Sequence, residues 1–434
     1  MIILLVLFPL LLAAVVTEQG VRQRLWIFMA APLPMLLVVA GYLLSGEFAG
    51  SVQAALALNV DWLLLGVYWR VSSSLAMLLA TTALLWLLAG IYSWQEYRKK
   101  PGEAHLARYL RCWLLTLTGN FGVLVAADIA SFYSFFALMT FAAYGLVIHF
   151  ETRSALFAGR IYIAMAVLGE ALLLSGLLWG AHLITDDISP LLRELPQAIA
   201  ASEQGPWVAL LLFTGFGVKA GLAGLHWWLP LAHPVAPTAA SAVLSGAMIK
   251  AGVVGWLLTL PLGEFSVISA DYTRIAWLAI WLGLLGAYGA AVLGVFAKQA
   301  KAVLAYSSVS QMGMLTCMLG IGWLYPAFWP SILAAMVAFA MHHSLNKGLL
   351  FLGVGLRKII SRTYVPLLLV LMAVPALNLI AVPFTSGAYA KDLFKSVLVD
   401  LPQPLIYALF SYGAIATTAL IVRIAWLLRI KRGQ

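Results

Sequence analysis

Long apolar runs recur along nearly the whole chain, separated by short polar stretches. All but the first, which is slightly shorter, are long enough for a helix to cross the hydrocarbon layer of a membrane, which takes about 18 residues or more. The pattern predicts about thirteen spans, at roughly 1–16, 26–45, 72–94, 108–126, 128–150, 157–183, 206–228, 237–262, 273–297, 300–323, 328–355, 363–400 (interrupted) and 403–428. The runs are continuous and do not alternate, so they are helices and not the strands of a barrel. The first run has no basic residue before it and no small-residue cleavage site before Glu18-Gln19-Gly20, so it is expected to be a retained span and not a leader peptide. The fold class predicted is an all-α polytopic membrane protein.

Helix-unfriendly residues interrupt this pattern twice. Pro230, Pro234 and Pro237 crowd the stretch 229–237, and Pro383 and Gly387 bracket the stretch 383–387. Proline removes a backbone donor and bends a helix. Backbone left unpaired at membrane depth survives only where protein or a wet cavity covers it. Broken helices in corresponding places of two halves are the mark of inverted repeats with an ion site between them. The expected division is 1–107 (three leading spans), 108–262 (first five-helix repeat), 263–428 (second repeat) and a tail at 429–434.

Charge placement orients these spans by the excess of Lys and Arg in cytoplasmic loops. With the N-terminus outside, inside loops hold Arg22, Arg24, Arg98, Lys99, Lys100, Arg108, Arg111, Arg153, Arg160, Lys298, Lys301, Arg357, Lys358 and Arg362, and the tail adds Arg429, Lys431 and Arg432. Outside loops hold only Arg70, Arg193 and Arg274, alongside most of the acids: Glu47, Asp61, Asp186, Asp187, Glu194, Glu203, Glu264, Asp271 and Asp400. The expectation is N-terminus out and C-terminus in. Segment 188–201 is expected to be an amphipathic helix on the outer surface.

Composition agrees. The chain has 434 residues, 63% of them hydrophobic and 10% charged, where a soluble domain carries about 25% charged residues. Sixteen Trp, many near predicted helix ends, fit aromatic belts. The net charge of +10 would raise nucleic-acid binding in a soluble protein. Here topogenic loop charge and in-span lysines account for it, and no nucleic-acid partner is expected. Cys112 and Cys317 lie in apolar helices with no metal or disulfide spacing, so they are expected to be small buried hydrophobes. No phosphate-cradling loop, dinucleotide fingerprint or nucleophile elbow is present, and no cofactor or metal is expected.

The chemistry lies in charges inside the spans. Lys219, Lys250, Lys347, Lys391 and Lys395 all fall in apolar context. A charge at the bilayer centre costs roughly 2.5–3.5 kcal/mol on insertion scales, and such residues face a protein interior or a wet path for ions. His342 and His343 precede Lys347 by about one turn, and His343 shares a helix face with it. Glu170 is the carboxylate at mid-span, and Lys219 on the next span is its natural partner. Asp128 opens the fifth span, Asp392 accompanies Lys391, and His233 lies in the first Pro-bounded stretch, so these three and Lys395 are secondary candidates. Snorkelling to an interface is the competing reading for the lysines, strongest for Lys395. Packing is the competing reading for the histidines.

At these residues the chain resembles the antiporter-like membrane subunits shared by respiratory complex I, membrane-bound hydrogenases and Mrp-type cation/proton antiporters. The stretches VKAGLAGLHWWLPLAHPVAPTAASAVLSGAMIKAGV, KAVLAYSSVSQMGML and HHSLNKGLLFLGVG carry the resemblance, and FYSFFALMTFAAYGLVIHFET and PFTSGAYAKDLFK match more loosely. It covers about residues 70 to 400. The resemblance implies two inverted five-helix repeats around a hydrated axis. It implies an ion path through Lys219, Lys250, Lys347 with His343, and Lys391. It also implies a glutamate in the fifth span, where this chain has Ala137; Glu170 is the candidate replacement.

The leading expectation is a proton-conducting subunit of a larger complex in the bacterial cytoplasmic membrane. Its partners would be other membrane subunits, homologous antiporter-like subunits among them, or a soluble catalytic subunit. Redox chemistry would belong to other chains. Na⁺/H⁺ exchange in an Mrp-like assembly, proton entry coupled to inorganic-carbon capture, and a non-conducting scaffold remain open.

Overall fold

The computed structural model describes residues 1–45, 56–60, 66–100, 102–184, 190–267 and 269–430. The loop acids Glu47, Asp61, Asp186 and Asp187, the start of the expected helix at Ile188, and the tail residues Lys431 and Arg432 lie outside the described residues. Almost every apolar run folds into a helix: α1 (Ile2–Ala14), α2 (Ile27–Ala30), α3 (Leu33–Ser45), α4 (Ser73–Arg98), α5 (Leu106–Val125), α6 (Ile129–Val147), α7 (Arg153–Leu183), α8 (Leu195–Ala201), α9 (Gly205–Ala220), α10 (Trp228–Val235), α11 (Thr238–Val243), α12 (Ile249–Thr259), α13 (Ala270–Phe296), α14 (Ala300–Leu324), α15 (Trp329–Ile359), α16 (Val365–Ile380), α17 (Ser386–Val399) and α18 (Pro404–Ile430). Among the described residues, ten helices are long and apolar enough to cross a membrane. They coincide with ten of the predicted spans. The other three predicted spans correspond to α1 and α9, of 13 and 16 residues, and to α5, which carries Arg108 and Arg111.

The loops gather at two opposite ends of the bundle. At one end Arg22 donates to Lys100 O at 3.1 Å, Arg111 to Val16 O at 2.6 Å, and Arg108 meets Glu151 at 2.5 Å. At the other end an antiparallel hairpin, β1 (Ala57–Val60) with β2 (Val67–Arg70), touches Ala126 through Trp69, and Asp128 bridges to Leu191. The hairpin lies in a stretch expected to be loop. The first contacts join the loop before α2, the α4–α5 link with the start of α5, and the α6–α7 link, and the second join the hairpin region to the α5–α6 and α7–α8 links.

Small residues let the helices approach closely. A Cβ on Gly313 of α14 would stand 2.5 Å from Gly283 O and 2.6 Å from Ala287 N of α13. A Cβ on Gly119 of α5 would stand 2.5 Å from Met139 N of α6. Gly252 of α12 meets α9 in the same way, 2.6 Å from Phe216 O and 2.8 Å from Ala220 N.

The first interruption is displaced from its prolines. Helix α9 ends at Gly221, which has φ +84°, and the chain stays irregular until Trp228. Pro230 and Pro234, expected to be breakers, lie inside the short α10. Pro230 sits in its first turn, where amides have no intrahelical acceptor in any case. Pro237 does mark an interruption, at the N-cap of α11. The second interruption falls where it was expected. Ala381 ends α16 in the left-handed region (φ 66°), and Thr385 caps α17 by accepting from Ala388 N at 3.3 Å. Pro383 lies within it, but Gly387 is the second residue of α17. Its role is contact, because a Cβ there would fall 1.8 Å from Asn378 O and 2.9 Å from His342 Cε1.

A Gly313→Val variant should lower stability by about 1–3 kcal/mol through overpacking. Thermal unfolding in detergent checks this, with Gly289→Val as control, since a Cβ on Gly289 would meet only Leu285 Cδ1 at 3.9 Å.

Candidate functional site: buried amines on interrupted helices

Four of the five in-span lysines are buried: Lys219, Lys250, Lys347 and Lys391. Lys395 is half-buried and Asp392 is exposed, so the structure separates both from this set. The reason is helical spacing: Lys391, Phe394 and Leu398 face inward on α17, and Asp392 points away.

The buried groups form a central cluster and a flanking pair. In the cluster, residues 244–248 form a π-turn between α11 and α12. Widening the turn frees a carbonyl from the α-helical ladder. Lys250 Nζ donates to Ser245 O at 2.8 Å, inside that turn, and lies 2.5 Å from His343 Nδ1 of α15. Ser245 Oγ and Ser308 Oγ of α14 are 2.7 Å apart. Ser308 Oγ donates to Leu304 O at 3.1 Å, and Lys347 Nζ donates to the same oxygen at 3.0 Å. Lys347 and Lys250 thus lie on either side of one serine pair, Lys347 sharing Leu304 O with Ser308 and Lys250 bonding the backbone carbonyl, not the hydroxyl, of Ser245. Helical spacing would pair His343 with Lys347, yet its ring faces Lys250 on another helix.

The cluster extends to the second interruption through His342. Its Nδ1 is 3.0 Å from both Ser386 Oγ, the first residue of α17, and Asn346 Nδ2. Asn378 Nδ2 donates to Asn346 Oδ1 at 3.1 Å, and Ser386 Oγ donates to Asn378 Oδ1 at 3.3 Å. Lys391 follows on α17, and its Nζ is buried without a hydrogen-bond partner.

The flanking pair is Glu170 of α7 and Lys219 of α9. Both line a cavity of about 20 Å³, room for about one water. Phe136 and Thr140 of α6, Tyr162 of α7 and Trp228 of α10 complete its wall. Lys219 Nζ lies 5.6 Å from the Phe136 ring centre and 5.9 Å from that of Tyr162. Neither carboxylate oxygen of Glu170 has a hydrogen-bond partner. Ala137 is not among the residues that line this cavity.

The remaining candidates have local roles. Asp128 caps α6, accepting from Ser131 N at 2.6 Å and from Tyr68 N of β2 at 2.8 Å. His233 is fully buried, stacked on Phe351 with ring centres 4.8 Å apart. One amine was missed. Lys301, expected to be a loop charge, is buried on the first turn of α14 and donates to Ala236 O at 2.7 Å, in the interruption between α10 and α11. It also reaches Ser241 Oγ at 3.3 Å. The signal available was that the sequence after it, AVLAYSSVSQMGML, already belongs to the span.

The protein is a polytopic helical membrane bundle with interrupted helices and ionisable side chains held in its interior. A family profile described as "NADH:quinone oxidoreductase/Mrp antiporter, TM" matches residues 126–417, and the chain belongs to that family. It is 31% identical over 319 residues to hydrogenase-4 component B of Escherichia coli (strain K12), covering 68% of this chain and 44% of that protein. It is 28% identical over 356 residues to NADH-quinone oxidoreductase subunit M of Pseudomonas aeruginosa, covering 76% of this chain and 65% of that protein. This chain thus spans less than half the length of the first relative. The fold matches a chain in the structure of the Mrp complex from Dietzia sp. DQ12-45-1b with a TM-score of 0.79, at 23% identity, over 97% of this chain and 79% of that one.

Lys250 and His343 should be energetically coupled. In a double-mutant cycle of Lys250→Met and His343→Leu read by thermal unfolding, the expected coupling is about 1–3 kcal/mol, as for a hydrogen bond to a buried charged group. Additive effects would refute the contact.

Proposed function

We propose that the chain is the proton-translocating antiporter-like subunit of a multi-subunit membrane complex. The observation that carries this reading is the close succession of polar groups between two buried amines: Lys347 and Ser308 share Leu304 O, Ser308 Oγ meets Ser245 Oγ, and the carbonyl of the same Ser245 accepts from Lys250, which meets His343. Water would bridge the carbonyls, which accept a hydrogen bond but do not relay a proton. Next to His343 in sequence, His342 bonds to Ser386 at the start of the helix that carries Lys391. Amines and imidazoles each hold or release a proton, and hydroxyls pass one on. A proton arriving at any member can move by short hops, with water completing the steps to Lys391 and to the Glu170–Lys219 cavity. Glu170 takes the place of the fifth-span acid and stabilises the charged form of Lys219. A charge change in a neighbouring subunit would drive the sequence of hops.

In this reading the chain has thirteen spans, with 108–262 and 263–428 as inverted repeats that each contribute one interrupted helix. The Arg- and Lys-rich end faces the cytoplasm of a bacterium, with the N-terminus outside. Other membrane subunits, homologous ones included, flank it, and a soluble subunit supplies any redox step.

Flux in proteoliposomes containing the whole native complex tests the proposal. Lys347→Met should reduce proton flux by about a hundredfold, the scale of losing a positioned proton-transfer group. Unchanged flux would count against the relay. Glu170→Gln should also depress flux, and an undiminished rate would remove the acid from its partner role. Flux that follows a sodium gradient in place of a proton gradient would move the assignment to Na⁺ exchange.

A further inference from the structure

At the arginine- and lysine-rich end, a cavity of about 290 Å³ opens where four helices finish or begin. Its cations come from two places: Lys298 and Lys301 at the start of α14, and Arg357 and Lys358 in the last turn of α15. Pro234, Val354, Leu427 and Leu428 supply apolar wall. Among the described residues, no Asp or Glu lines it. Among the described residues, none of the four cations is in an ion pair. Glu96, an acid whose charge reaches Lys301, is held by Lys100 at 2.8 Å. Arg357 Nε is buried without a hydrogen-bond partner. The first turn of α14 also carries no acid and no side-chain cap, so the partial positive charge of the helix start is uncompensated there.

We infer that this cavity binds a phosphate-bearing anion, specifically the headgroup of an anionic phospholipid. Four uncompensated cations and a helix start call for a ligand of more than one negative oxygen. The choice of a lipid over free phosphate rests on the surroundings. Phe296 is 76% exposed at the end of α13 and Ile359 is 59% exposed at the end of α15. They lie within two residues of the lining cations Lys298 and Lys358, and they offer apolar surface for acyl chains. Basic pockets between transmembrane helices are suited to anionic headgroups. Lys301 also bonds to Ala236 O in the link between α10 and α11, so an occupied cavity bears on that segment directly. The inference does not depend on the chain's conducting protons.

The test uses the full chain in its native complex, delipidated in mild detergent, with bound lipid counted by native mass spectrometry. Phosphatidylglycerol should bind and raise the unfolding temperature, and phosphatidylcholine should not. The double variant Arg357→Gln/Lys358→Gln, at half-buried and exposed positions, should bind phosphatidylglycerol roughly tenfold to thirtyfold more weakly, the scale of two interfacial cations. Unaltered binding by the variant, or equal binding of the two lipids, would overturn the site. Inorganic phosphate that displaces the lipid and stabilises equally well would overturn the lipid assignment.

Discussion

The organisation of this protein follows from the cost of keeping amines away from water without acids beside them. Among the described residues, no carboxylate comes within 4.0 Å of Lys219, Lys250, Lys301, Lys347 or Lys391. An ammonium group needs oxygen acceptors, and a regular helix has few to spare because its carbonyls are committed to the ladder. The interrupted elements supply two of them. Ala236 O, in the irregular link between α10 and α11, accepts from Lys301, and Ser245 O, in the π-turn, accepts from Lys250. Irregular backbone at membrane depth is tolerated only where something inside the protein uses it, and here these two lysines do. Lys347 instead takes Leu304 O of the regular α14, and Lys391 Nζ is left without a hydrogen-bond partner.

The same economy explains the histidines. His343 Nδ1 pairs with the Lys250 amine, either nitrogen donating according to the tautomer, and the other ring nitrogen is buried without a partner. His342, next in the chain, faces a different helix and closes a ring of amide and hydroxyl groups with Asn346, Asn378 and Ser386. Adjacent residues on one helix thus meet different neighbouring helices, as a step of about 100° per residue allows. A lone carboxylate remains apart, in the small aromatic-walled cavity that Lys219 enters. The helix that supplies this acid is α7, and the cavity accepts it because α6 contributes only a phenyl ring and a threonine there.

Much of this was legible in the sequence, and the failures have physical causes. Hydropathy located the long helices because a span must be continuously apolar, and it located the central lysines because nothing else charged lies near them. The second interruption was legible from Pro383, where the chain does leave the helix. The first was misplaced because Pro230, in the first turn of α10, costs no hydrogen bond and Pro234 falls in the last turn of the same short helix, whereas Gly221, the true terminator, is one small residue among many. The π-turn left no mark, since tertiary contacts select it among sequences that would otherwise form α-helix. Lys301 was hidden by position: one residue inside a helix looks like one residue outside it. His343 was assigned to the wrong amine because spacing along one helix says nothing of what the next helix presents.

The mounting of α17 has a mechanical consequence. Its first turn holds Ser386 against His342, its Gly387 rests on the backbone of Asn378, and Lys391 follows little more than a turn later. A rigid lever pivoting at Ala381 and Phe384, both in left-handed conformations, cannot move one of these groups alone. Tilting it far enough to part the hydroxyl from the imidazole also swings the amine, so the two ends of this short rod share a single degree of freedom.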